Sequence, residues 1–163
     1  GMKKAFVCLC LLIMGMVLAA CSSSVNGANK EELKKADQAA YNFIVAQVEG
    51  DHKLFKKVLI KDAQGILEAG RHANPGFEKE MGERYQIKRY SRHFDENKLY
   101  YYLRFYRPNH GEDDYMNVLL VKDDDGNWKS TDIRGIDESE MKKAMGDEEP
   151  VTVHKYKGDG ADE

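Results

Sequence analysis

The chain has 163 residues, 42% hydrophobic and 33% charged, with three Cys and a formal net charge of −3. These totals exclude a multi-pass membrane protein, a disulfide-dense scaffold and a collagen-like or low-complexity polymer, and they leave room for one globular domain. The averages conceal a division, because residues 2–20 hold 16 of the hydrophobic residues and only two charges, Lys3 and Lys4. Without that segment the net charge moves from −3 to −5, and what remains is polar and mildly acidic.

Gly1 ahead of Met2 reads as a remnant of expression. Lys3 and Lys4 make a positive n-region, and 5–20 is an uncharged run broken only by Gly15, so residues 1–20 read as a signal peptide. Sixteen residues at about 1.5 Å rise cover about 24 Å, short of the roughly 30 Å hydrocarbon core, so a cleaved signal fits better than a permanent span. The run closes on Leu18-Ala19-Ala20-Cys21, which resembles the lipobox of bacterial lipoproteins. Small residues at 19 and 20 let an extended segment enter a peptidase cleft, and a Cys thiol is nucleophilic enough to be alkylated near neutral pH. The resemblance implies cleavage between Ala20 and Cys21 and a diacylglyceryl group on Cys21. It also implies a lipid-anchored protein of the cell membrane, facing the extracytoplasmic side. Two acyl chains hold a protein on a bilayer stably where one does not. Cys8 and Cys10 leave with the signal, so neither a disulfide nor a Cys nucleophile survives processing.

Residues 21–29 read as the lipidated Cys and a short flexible tether, with a reach of about 15 Å. Asn29 and Glu32 have capping-box spacing, and Leu33, Ala36, Ala40, Phe43, Ile44 and Val48 lie on one face of a helix predicted from about 30 to 49. Gly50 stops that helix. Asp51 is placed to cap a second helix through Leu54, Phe55, Val58 and Leu59. A third short segment is expected from Asp62 to Gly70, then a turn at Asn74-Pro75-Gly76 and a helical turn from Phe77 to Met81. The period then changes to two. Strands are expected over Tyr85–Phe94, with a bulge near Lys88-Arg89, and then over 99–106, 116–121 and 128–133, with Asp125-Gly126 turning the last hairpin. Asp137 and Glu140 open a short helix through Met145, and 147–163 reads as an acidic mobile tail, with 151–153 a possible edge strand.

The predicted fold class is α+β, with N-terminal helices on a curved antiparallel sheet of about four strands spanning 30–146. Ala39-Ala40-x-x-Phe43, the Gly50-Asp51 step into Leu54-Phe55, and the Asp125-Gly126-Asn127-Trp128-Lys129 hairpin are similar to the NTF2-like (cystatin-like) superfamily, and within it to secreted lipoproteins of the DUF4878 type. The resemblance implies a cone, whose members bind small molecules, catalyse proton transfers or only dimerise; a fold does not name a function.

Tyr41, Tyr101, Phe105 and Trp128 are the candidate pocket residues, as a line of rings with hydroxyls able to orient a ligand; an aromatic core explains the same pattern. Rings on the sheet face turned from the helix would be exposed, which suggests a partner or a homodimer through the sheet. His52, His72, His93, His110 and His154 show neither metal-ligand spacing nor an H-E-x-x-H motif, and Asp123-Asp124-Asp125-Gly126-Asn127 departs from the EF-hand order. No metal and no cofactor is expected. Lys88, Arg89, Arg92, His93, Arg104 and Arg107 suggest a basic stripe, but the acidic balance disfavours nucleic acid and favours pairing with acidic neighbours or lipid headgroups. With neither a nucleophile elbow nor a phosphate loop, the expectation is a non-catalytic binding module of the envelope, its partner an envelope protein or an apolar small ligand. The alternative is a small-molecule carrier, or an enzyme working inside the cone.

Overall fold

The computed structural model describes residues 27–158 and 161. Leu18, Ala19, Ala20 and Cys21 lie outside the described residues, as does most of the tether. The chain divides into two compact units, 1–34 and 35–163. In the first, residues 27–34 are helical; the second holds the sheet and the other helices.

Helix α1 covers 27–49, so Asn29 and Glu32 lie inside it and not at its mouth. Its stripe of Ala36, Ala40, Phe43, Ile44 and Val48 is fully buried, as the 3.6-residue period requires. It stops at Gly50, whose φ of +61° is a left-handed conformation that glycine adopts without a Cβ penalty. Asp51 then caps α2 (His52–Val58), its Oδ1 accepting from the Leu54 N–H at 3.1 Å. The third helical segment expected after Asp62 is only a 3-10 turn, Lys61–Ala63. The physical reason is that Ile66 stands 67% exposed, so no apolar face docks a longer helix there. The Asn74-Pro75-Gly76 turn leads into α3 (Phe77–Met81), which buries Met81.

The sheet has five strands, not four: β1 (Tyr85–Tyr90), β2 (Lys98–Arg107), β3 (Glu112–Lys122), β4 (Trp128–Ser130) and, after helix α4 (Glu138–Met145), β5 (Val151–His154). The spatial order is β4-β3-β2-β1-β5, with every neighbouring pair antiparallel. The correction falls on the segment expected to be a mobile tail. Val151–His154 pairs with the free edge of β1, satisfying main-chain groups that an edge strand leaves open. The predicted bulge appears there as a register shift between Ile87 and Lys88 against β5, while β1 and β2 pair without interruption. β1 stops at Tyr90, and Phe94 belongs to a 3-10 turn.

The two sheet faces divide by residue parity. Ile87, Leu99, Tyr101, Leu103, Phe105, Val118 and Leu120 share the inner face and are all but fully buried. Opposite them, Tyr100, Leu119 and Met141 form a second apolar cluster, packed round by Tyr90, Tyr102, Val121, Ile136, Ala144 and Met145. Helix α4 therefore covers one end of the outer face. Rings on this face were expected to be exposed; Tyr100 is buried, whereas Tyr115 is 56% exposed.

Candidate functional site

Strand alternation puts Tyr101 and Phe105 on the inner face, where neither is accessible to solvent. The Tyr101 hydroxyl donates to Asp37 Oδ1 on α1 at 2.7 Å, and Arg89 Nη1 pairs with the other carboxylate oxygen. Burial, and then the Asp37 carboxylate, push the Tyr101 hydroxyl far above the ordinary phenol range. That group is a fixed donor, held together with Arg89 on one half-buried acceptor. Trp128, buried at the start of β4, stacks on Phe94 with ring centroids 6.1 Å apart. A small cleft of about 190 Å³ runs beside it, bordered by Lys35, Asn42, Lys57 and Asn127. Tyr41 has different neighbours again: its hydroxyl donates to Glu78 Oε1 at 2.7 Å and its ring lies 5.0 Å from that of Tyr85. The structure thus joins Tyr101 and Phe105 in the core and gives Tyr41 and Trp128 separate surroundings.

The basic stripe resolves into local pairs. Arg89 is held by Asp37, Arg104 by Asp113 at 2.7 Å, and Arg107 by Asp114 at 2.7 Å. Arg92 Nη1 donates to the Met145 carbonyl at the end of α4. The Arg104 guanidinium also lies 4.2 Å from the Tyr156 ring centroid, and the Tyr156 hydroxyl donates to Asp113. Residues beyond β5 therefore close the far end of the outer face. In the β3–β4 hairpin, Asp123 Oδ1 accepts from the N–H groups of Asp125 and Asn127 while Gly126 takes φ +81°, the geometry of a turn.

A polar cluster lies where α1 meets α2. Glu49, the last residue of α1, is 8% exposed. Its Oε1 is 2.8 Å from His72 Nε2, and its Oε2 accepts from the Glu78 N–H at 2.9 Å. Glu78 in turn accepts from Tyr41, and burial followed by that bond raises the Tyr41 hydroxyl well above its usual range. Asp51 completes the group: one ligand atom each from Glu49, Asp51 and His72 lie within 4.8 Å of one another. Main-chain bonds hold the His72 segment in place, Asn74 N–H to the Glu49 carbonyl at 2.9 Å and His52 N–H to the Arg71 carbonyl at 2.9 Å. Asp51 and His72 form an isolated antiparallel bridge.

Sequence spacing had no means of joining His72 to Glu49, since 22 residues, including α2 and the 3-10 turn, separate them and both look like ordinary surface polar residues. Three other histidines have structural partners: His93 spans Glu96 and the Ala144 carbonyl, and His154 donates to the Tyr85 carbonyl while stacking on that ring at 3.7 Å. His52 Nδ1 accepts from the Glu68 N–H. Among the described residues no helix is long and apolar enough to cross a membrane. No family model, curated protein or solved structure matches this chain.

Proposed function

We propose that the chain is a bacterial lipoprotein, anchored through diacylglyceryl-Cys21 to the outside of a cell membrane, whose α+β domain is a non-catalytic binding module of the envelope. The carrying observation is the order n-region, apolar run, Leu18-Ala19-Ala20-Cys21 and polar tether. An NTF2-like cone is the finer reading of the fold, supported by the succession of helices and then an antiparallel meander.

The binding role draws on the outer sheet face. Between α4 and the residues after β5 it presents Tyr102, Tyr115 and Lys88, with the Lys88 ammonium 6.0 Å from the Tyr102 ring and Arg104 beneath Tyr115. Exposed Tyr side chains such as Tyr115 are enriched at protein interfaces. The inner-face Tyr101–Asp37 pair, the most plausible acid–base couple for an enzyme, is committed to Arg89, which supports binding over catalysis.

The test is expression in a bacterial host with labelled fatty acid, followed by fractionation. The parent should carry the label and sediment with membranes, and Cys21→Ala should lose the label and keep residues 1–20. Normal maturation and membrane retention of Cys21→Ala would overturn the reading.

A further inference from the structure

We propose that Glu49, Asp51 and His72 form a binding site for one divalent first-row metal ion of the zinc class. The inference stands apart from the lipoprotein reading and rests on the α1–α2 corner alone.

Three donors from three chain positions, one imidazole nitrogen and two carboxylate oxygens, lie within 4.8 Å of each other. Tetrahedral ligands at about 2.0–2.2 Å from a metal stand roughly 3.3 Å apart, so modest side-chain torsions close the set. An N,O,O donor set suits zinc and its neighbours and leaves a fourth position to water. The second Glu49 oxygen is held by the Glu78 N–H, which orients the carboxylate as outer hydrogen bonds do at metal sites.

Charge supplies a separate argument. The Glu49 side chain is only 10% exposed, yet its only ion-pair partner among the described residues is His72. Asp51 adds a second carboxylate beside it, with no Lys or Arg partner among the described residues. A buried carboxylate without a permanent cation is costly. The carbonyl end of α1, which finishes at Glu49, adds partial negative charge at the same point and favours a cation. A dication answers both. Entry is open, because the His72 side chain is 39% exposed. The ligand segments are already placed: the Asn74–Glu49 and His52–Arg71 main-chain bonds clamp the loop, and a Cβ at Gly50 would come within 3.2 Å of the Ala73 Cβ. On binding, His72 Nε2 gives its lone pair to the metal and any proton it carries passes to solvent.

The experiment is calorimetric titration of the chelator-stripped full chain, in detergent, with Zn²⁺, alongside Glu49→Gln, His72→Gln and a His93→Gln control. Circular dichroism of each metal-free variant checks the fold. One saturable equivalent in the parent, weakened at least tenfold in Glu49→Gln and His72→Gln and unchanged in His93→Gln, is the expected result. Zn²⁺-dependent shifts of the His72 imidazole resonances in the parent chain give the same answer if a variant misfolds. No saturable binding, equal weakening in all three variants, or His72 resonances that do not move would mean an adventitious ion only and would overturn the proposal.

Discussion

Replacing Asp37 with Ala removes the one acceptor shared by the buried Tyr101 and the largely buried Arg89. The Arg89 side chain is 11% exposed and Tyr101 is fully buried, so neither donor gains much water in exchange. Breaking a buried pair costs about 3–5 kcal/mol, and the 17% exposure of Asp37, with Arg89 Nε still donating to Ser91 Oγ, places this case near about 3 kcal/mol. Tyr101→Phe leaves the Asp37–Arg89 pair intact and removes one hydrogen bond to a charged group, for about 1.5–3 kcal/mol. The converse is the sharper expectation. Asp37→Leu, Arg89→Met and Tyr101→Phe together leave only the half-buried Ser91 hydroxyl without its Arg89 partner and should recover most of the loss, because a buried ion pair is often no better than well-packed apolar side chains. Trp128, the only Trp and 4% exposed, reports unfolding by fluorescence in urea. With a slope of about 2 kcal/mol per molar urea, Asp37→Ala should lower the midpoint by about 1.5 M. A midpoint within about 0.3 M of the parent, or a triple variant weaker than Asp37→Ala, refutes the reasoning.

Gly135 has φ +73°, and a Cβ there would lie 2.1 Å from the Asn117 carbonyl oxygen, which also accepts from the Ile136 N–H. Gly135→Ala should therefore destabilise the fold by more than the roughly 1–2 kcal/mol of left-handed strain alone, and an unchanged urea midpoint would contradict the close approach. The Asp123 carboxyl is held below its usual range chiefly by the Asn127 N–H, and by Lys129. Its stabilisation is present above the ordinary Asp range and disappears as pH falls through the lowered folded value, so Asp123→Asn should flatten the acid limb of the stability curve. Burial and the bond to Asp113 push the Tyr156 hydroxyl up to about 12. That contribution is complete below pH 10 and is lost as pH rises towards 12, and Tyr156→Phe should remove one late-titrating phenol from the alkaline absorbance curve.

Several elements were legible because their causes are local. The buried stripe of α1, the Gly50 stop, the Asp51 and Asp137 caps and the Asp125-Gly126 turn each follow from a few neighbouring residues. The alternation of 99–106 put Tyr101 and Phe105 on one face before any partner was known. Strand β5, which the sequence offered only as the alternative to a mobile tail, has the weak local pattern Val151-Thr152-Val153 inside an acidic segment, and only the open edge of β1 makes it a strand. The short segment after Asp62 failed for the opposite reason: its propensity was adequate, but it has nothing to pack on.

The same division separates what the residues decide alone from what the folded chain decides. An apolar run, a small pair and a Cys in order are read by processing enzymes as extended chain, so the expectation of a lipid anchor at Cys21 belongs to the sequence. Whether a Tyr is core or surface, whether an Arg belongs to a stripe or to an Asp nine residues on, and whether His72 meets Glu49 depend on register and on loop closure over tens of residues. Tertiary structure alone decided that Arg89 and Tyr101 share Asp37, and that two carboxylates and an imidazole meet at one helix corner. The contacts of Asp37 with Arg89 and Tyr101, and of His72 with Glu49, join residues too far apart in sequence for any local pattern to encode, and burial is what makes the charges there matter.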